Sequence, residues 1–588
     1  MPGDDEVILR GLPISKGIGI GFPIFINTGE SKTVELELPQ KEIEEEITRY
    51  RRAIDSSRKD LEQLRKISQR DGPAEIVAIL GTHLEIMQDP LIVSEIEVRI
   101  RESQMPIEKI FHGLIEEYKL RFTTMHDQYF EERIRDMVDV LRRILGHVYP
   151  SGRMNLSEIP HNSILIAQEL VPSETIEASA ALISAFVTAG GGLTSHAAII
   201  ARAKGIPYVA NIDIKKLKKI EFHTIVVDGS LGLIILNPNR QSLKKYQEMK
   251  KNYSAEHKKL KSSTHLTSET IDGYEVRVFA NLENPKEIDS VLKNGASGVG
   301  LFRSEYLFLS KKQFPEEEEQ FEIYKKMIRS MRGSPLVIRV FDIGGDKKVD
   351  FLPEDPNAKY FREIGMESNP ALGCRAIRFL LRYPELLEQQ LRAILRASRF
   401  GPIQILIPMV SDVSELQIVR MMIEKIKKSL AQEGVKVAKE IPLGCMIEVP
   451  SSAIMCDVIA AETDFLSIGT NDLIQYVLAA DRSNFNTSEL YSPIHPSIFR
   501  LIQMIVNAAN RAGKPVIVCG ESAADPLMIP ILLGLGVREF SVAFRHIPLV
   551  KHTIRTWRII EACRLAEGAM EFSSALELKK YLVAETTR

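Results

Sequence analysis

The sequence predicts a multidomain α/β protein: an α/β unit interrupted by a helical bundle, a connecting helix, and a C-terminal (β/α)8 barrel. Three observations carry this. The chain has 588 residues, which is room for three to five domains. Its texture changes from short apolar runs to amphipathic helix at about Leu38 and back again at about residue 149. Its second half then alternates eight short apolar runs with helical stretches.

Residues 7–26 mix short apolar runs with glycine and proline, as short strands do. From Leu38 onward, Ile43, Ile47, Tyr50, Ile54, Leu61 and Leu64 recur at helical spacing with charges between them. The pattern returns at Phe130, Ile134, Met137, Val138, Leu141 and Leu145. Residues 74–120 read as helices broken near Asp89-Pro90 and Pro106. Residues 37–148 are therefore a helical unit, and periodicity alone leaves open whether it is a plain packed bundle or a docking platform for another protein. In residues 149–236, ILIAQEL, SAFVTAG and TIVVDG read as buried strands. They are expected to pair with the N-terminal strands, so that 1–36 and 149–236 form one unit and 37–148 is an insertion. Residues 237–267 are highly charged and helix-compatible, an exposed connecting helix and the place for a hinge. In residues 268–588, strands are expected at Val276–Ala280, Gly298–Phe302, Leu336–Phe341, Gln404–Pro408, Leu443–Ile447, Asp464–Ile468, Pro515–Cys519 and Glu539–Val542.

Composition narrows the function classes. Apolar residues make up 44% and charged residues 26%, as in a soluble globular protein, and a net charge of −2 gives no basic field for nucleic acid. Five cysteines without paired metal spacing fit a reducing compartment. An acidic N-terminus, and no apolar run long enough to span a membrane, point to the cytoplasm.

Two places concentrate chemistry. GGGLTSHAAIIAR, from Gly190 to Arg202, is a glycine-rich loop opening into a helix at His196. Backbone N–H groups and the helix dipole favour an anion there, and an imidazole there could receive a phosphoryl group, although a lone histidine is more often structural. In the barrel half, polar residues follow the strands: Arg303 and Glu305, Arg339 and Asp342, Glu448, Asn471 and Asp472, then Cys519. Barrel active sites form on that face, whereas solvated charges would show no such bias. Arg303, Arg339 and Arg482, with Arg375 as a further candidate, are fixed forks for phosphate or carboxylate. Glu448 and Asp472 are hard oxygen ligands that, with substrate oxygens and water, suit magnesium or manganese. Cys519 reads equally well as a small buried apolar residue or as a proton donor or nucleophile.

With these residues in view, the chain resembles the enzyme I family of the bacterial phosphotransferase system, the phosphoenolpyruvate–protein phosphotransferases. VPSETIE at 171–177, GGLTSHAAIIARAKGIP at 191–207, GVGLFRSEYLF at 298–308, IRVFDIGGDK at 338–347, NPALGCRAIR at 369–378, CMIEVPSSA at 445–453, DFLSIGTNDLIQYVLAADRSN at 464–484 and CGESAADP at 519–526 carry the resemblance. DQYFEERIRDMVDVLRRIL at 127–145 looks like that family's carrier-docking subdomain. The resemblance implies a swivelling phosphohistidine domain with His196 as phospho-acceptor and Thr175 beside it. It implies that Arg303, Arg339, Arg482 and Asn471 grip phosphoenolpyruvate, that Glu448 and Asp472 hold magnesium, and that Cys519 protonates the enolate. It further implies the phosphocarrier protein HPr as partner, docked on residues 37–148, and a homodimer formed through the barrel. Leu193, where the family often has arginine, Val171 and Ser304 depart from its pattern. A pyruvate phosphate dikinase would need an ATP-binding domain for which this chain has no room. A silent carrier-binding scaffold would be expected to lack at least one of these core residues.

Overall fold

The computed structural model describes the chain apart from residues 1–5, 27–37, 72–73, 112, 115–116, 118–127, 149–158, 171–181, 191–194, 263–264, 310–312, 348–354, 356, 365–366, 482–486, 488–489 and 587–588. It divides into two units, residues 1–256 and 257–588.

The first unit is built on an eight-stranded mixed sheet in the order β1-β8-β7-β3-β4-β5-β6-β2. Its strands are β1 (Val7–Arg10), β2 (Leu12–Ser15), β3 (Ile18–Ile26), β4 (Ser163–Ala167), β5 (Ile183–Thr188), β6 (Tyr208–Ala210), β7 (Ile225–Asp228) and β8 (Leu233–Leu236). The N-terminal strands do pair with the later ones: β3 runs parallel to β4 and antiparallel to β7, and β1 is antiparallel to β8. β6 and β8 were not anticipated. β6 has three residues, too few to show a period.

Between β3 and β4 come the helices Ile43–Asp71, Ala74–Gln88, Pro90–Ser103 and Gln128–Val148. Ile43, Ile47, Tyr50 and Leu61 are buried as their spacing requires, with Ile54 and Leu64 partly buried against the same core. The last helix is turned from its expected phase. Val140, Leu141, Ile144 and Val148 are buried, while Met137, Val138 and Leu145 lie at the edge, and the side chains of Phe130 and Ile134 fall outside the described residues. A buried histidine also fastens this bundle, with His83 Nε2 3.2 Å from Asp136 and Nδ1 3.6 Å from Asp139.

Helix Arg240–Ser262 occupies the charged segment, but its first half is not free. Leu243, Tyr246 and Met249 form a stripe against Val226 and Ile235 of the sheet. Their spacing of three is helical, and the lysines around them mask it in the sequence.

The second unit is a closed barrel of eight parallel strands. They are β9 (Arg277–Leu282), β10 (Val299–Arg303), β11 (Leu336–Arg339), β12 (Ile403–Ile407), β13 (Leu443–Ile447), β14 (Phe465–Gly469), β15 (Val516–Cys519) and β16 (Glu539–Ala543). Each overlaps one of the eight expected runs. Strands covered on both faces read as continuous apolar segments, which is why they stand out. Leu301, Val337, Leu406, Met446, Phe465 and Cys519 form one buried cluster, and a larger apolar core joins strands to the helices outside. Among the described residues, no helix is long and apolar enough to cross a membrane.

Candidate active site at the C-terminal mouth of the barrel

Parallel strands end on one face, so the residues that close them converge. Arg303 is the last residue of β10, Arg339 of β11 and Cys519 of β15. Glu448 follows β13, and Asn471 and Asp472 open the helix Thr470–Leu478 that follows β14.

The charges at this mouth are buried and hold one another. Asp342 is fully buried; it accepts from Arg375 Nε at 2.7 Å and Nη2 at 2.9 Å, meets Arg339 Nη1 at 3.1 Å, and pairs with Lys347. Burial alone would raise its pKa, but these three cations outweigh that and hold the carboxyl well below its usual range. Arg375 also reaches Asp472 at 3.1 Å and Asp346 at 3.3 Å. Arg339 pairs with Glu305, and Arg303 with Glu283. For Arg303 and Arg339, burial opposes the charge and the neighbouring carboxylates more than restore it, so both remain cationic. Arg339 Nε is buried and finds no acceptor among the described residues. A buried donor left in this state is costly unless something else meets it.

The backbone is shaped around these groups. Gly344 and Gly345 have φ of +93° and +57°, and a Cβ on Gly345 would come 3.2 Å from that of Arg375. The turn they make lets the chain after β11 close over Arg375. Met409 takes a left-handed φ of +58° and donates its N–H to Glu448 Oε1 at 2.7 Å. A Cβ at Gly469 would sit 2.7 Å from Glu448 Oε2, so this glycine leaves the carboxylate its place.

Glu448 and Asp472 are 2% and 7% exposed. Burial first, then repulsion from Asp472 and Asp342, pushes the Glu448 pKa well above the carboxylate range. Two buried carboxylates that repel each other are a fitting donor set for a divalent cation, which would relieve the repulsion. Among the described residues no group of three or more His, Cys, Asp or Glu side chains is arranged for a metal.

Cys519 is 2% exposed, with its sulfur 2.9 Å from Ser467 Oγ and 3.5 Å from the Ile468 carbonyl. Burial raises the thiol pKa to about 11, against a smaller opposing effect of the Ser467 hydrogen bond. The group therefore keeps its proton at neutral pH. Asn471 Oδ1 accepts from the Glu521 N–H at 3.1 Å, tying the turn after β14 to the turn after β15. Ser304 is buried and donates to the Arg339 carbonyl at 2.6 Å, an internal role in which its hydroxyl matters.

Of the residues singled out in the sequence, the barrel brings together Arg303, Arg339, Arg375, Glu448, Asn471, Asp472 and Cys519. Arg482, Thr175, Val171 and Leu193 lie outside the described residues. His196 is the first residue of helix His196–Lys204, capped by Ser195, whose hydroxyl accepts from Ala198 N at 3.3 Å; the His196 side chain lies outside the description. Sequence reasoning missed Lys347, Glu283 and Ser467 as partners in the site. Lys347 follows the Gly-Gly turn within a motif already singled out, which was its available signal.

Comparison with known proteins identifies the family. Three family models match: "PEP-utilising enzyme, PEP-binding domain" over residues 257–559, "PEP-utilising enzyme, N-terminal" over 10–133, and "PEP-utilising enzyme, mobile domain" over 159–232. The chain is 36% identical to the phosphoenolpyruvate-protein phosphotransferase of Staphylococcus carnosus, over 92% of this chain and 93% of that one. It is 35% identical to that of Staphylococcus epidermidis, over 97% and 98%, and 35% identical to that of Geobacillus stearothermophilus, over 98% of each. With similarity of this extent running through all three matched regions, the chain belongs to the phosphoenolpyruvate-protein phosphotransferase family and is an enzyme of that kind.

Proposed function

We propose that the chain binds phosphoenolpyruvate at the barrel mouth, takes its phosphoryl group onto His196, releases pyruvate, and passes the group to a histidine of the phosphocarrier protein HPr docked on the 37–148 helices. The observation that carries this reading is the convergence of mutually neutralised charges with the buried Cys519 thiol on one barrel face. Arg303 and Arg339, joined by Arg482 and Asn471, grip the phosphate, and the buried Arg339 Nε supplies a donor ready for an incoming oxygen. Glu448 and Asp472 would hold magnesium, for which manganese can substitute; when bound, it would supply positive charge to offset that of the phosphoryl group. Neutral imidazole attacks phosphorus, the P–O bond to the enol oxygen breaks, and its electron pair stays on the enolate. The Cys519 thiol gives its proton to the enolate carbon, which makes pyruvate, and the thiolate then recovers a proton from solvent. The protein acts in the cytoplasm as a homodimer formed through the barrel.

The test is incubation with phosphoenolpyruvate, magnesium and HPr, following acid-labile phosphate first on His196 and then on HPr. A His196→Ala variant that still phosphorylates HPr overturns the assignment.

A further inference from the structure

A buried polar chain lies behind the two strand-end arginines, and the reaction described above does not use it. Gln390 sits within the helix Pro384–Ala397 and is fully buried, on a helix whose other buried side chains include Leu387, Leu391 and Ile394. Its Nε2 donates to Ser304 Oγ at 2.9 Å and to Tyr324 OH at 3.2 Å, and its Oε1 accepts from the Phe341 N–H at 3.0 Å. Ser304 Oγ in turn donates its hydrogen bond to the Arg339 carbonyl. Tyr324 OH donates to Gln320 Oε1 at 3.3 Å, and Gln320 Nε2 to the Pro315 carbonyl at 2.9 Å.

The connections are specific to the site. Ser304 is the residue after Arg303, while the Arg339 carbonyl and the Phe341 N–H flank Val340 at the end of β11. One amide thus joins the Ser304 hydroxyl, next to Arg303, to the backbone N–H two residues past Arg339. The strand ladder pairs Arg303 with Arg339 only after a slip in the β10 register between Val299 and Phe302, with a second slip against β9 between Val299 and Leu301, so the amide reinforces the ladder where it is irregular. Filling space would not require an amide, since leucine or methionine packs such a place without polar atoms to satisfy.

We infer that Gln390 is a positioning residue: through Ser304 and the Phe341 N–H it fixes the spacing of Arg303 and Arg339, and so the fit of the phosphoryl group between them. The inference rests on the reading of the barrel mouth as the phosphoenolpyruvate site. Its signature is a weakened grip on substrate with a smaller loss of maximal rate.

The test uses the full-length chain with magnesium and measures single-turnover pyruvate release against phosphoenolpyruvate concentration. It compares wild type, Gln390→Met, Ser304→Ala, the double variant and Arg339→Ala. Each clamp variant is expected to raise the half-saturating concentration about tenfold, the scale of one lost buried hydrogen bond, with a smaller fall in maximal rate. The double variant is expected to fall clearly short of the product of the two single effects, because both variants cut the shared Gln390–Ser304 bond. Unchanged half-saturation in Gln390→Met beside a disabled Arg339→Ala overturns the clamp alone, as do additive effects in the double variant. Wild-type half-saturation in Arg339→Ala overturns the reading of the mouth, and the clamp with it. If Gln390→Met does not fold, Ser304→Ala decides the question by the same criterion.

Discussion

The barrel mouth and the helix that begins at His196 are held in place by different means. At the mouth, Asp342, Arg375, Arg339 and Glu305 are buried and bonded to one another, so each charge depends on its neighbours. The helix His196–Lys204 is seated by other contacts. Small side chains seat it on the sheet, with Ala197, Ala198 and Ala201 buried there, while Ile200 is buried in the core of the helical bundle. One hydroxyl caps it. A site that must balance several charges in low dielectric needs an over-determined scaffold. A helix start that offers backbone N–H groups to an anion needs little beyond its own dipole and a cap.

The largest effect that would break this contrast comes from Arg375. Replacement by leucine leaves Asp342 and Asp472 buried without their shared cation, and is expected to cost about 3–5 kcal/mol of barrel stability and to abolish turnover. Denaturant unfolding and pyruvate release check the two together, and a mild variant would show that the charges are independent. Next is Cys519→Ala, expected to slow pyruvate formation by about 10²–10⁴-fold while thermal unfolding stays near wild type. The thiol also gives a pH test. Its folded pKa of about 11 lies above the ordinary value of 9.0. The folded state therefore holds the proton more tightly, and the stabilisation present below pH 9 declines between these values. Alkylation by iodoacetamide at pH 8 should accordingly be far slower in folded than in unfolded protein.

Smaller effects are expected on the histidine helix. Ala198→Leu forces bulk into a fully buried seat and should cost about 1–3 kcal/mol in the first unit, read by hydrogen exchange across residues 196–204. Ser195→Ala removes the cap and should cost about 1 kcal/mol, seen as faster exchange at the Ala198 amide. Least of all is Arg396→Ala on the outer barrel wall, where the guanidinium pairs with Glu317 and Glu318 and lies 4.1 Å over the Phe321 ring. It should cost under about 1 kcal/mol and leave turnover unchanged.

The sequence revealed these two regions unequally. Barrel strands such as LGCMI and FLSIG are continuous apolar runs, and the polar residue at each end announced the mouth. The cross-links were hidden, because Ser467 meets Cys519, and Gln390 meets Ser304, across long stretches of chain that no local pattern records. The phase of helix Gln128–Val148 was misjudged for a related reason. Its apolar positions are wider than the face the bundle buries, and only the packing partners select Val140 and Ile144 from among them. Tyr246 was hidden by the lysines beside it, although its spacing from Leu243 and Met249 was helical.

The placing of the bundle between β3 and β4 has a consequence for synthesis. Those two strands are direct parallel neighbours, paired from Phe22 with Ser163 to Ile26 with Ala167. The entire bundle is therefore the crossover of a single parallel pair. A growing chain releases β1 and β3 long before β8 and β7, their antiparallel partners, have been translated. The helices, whose contacts are more local, can form in the interval. Nascent chains halted before residue 225 would then carry a formed bundle beside unpaired strand edges, and limited proteolysis of such stalled chains would cut near the N-terminus first.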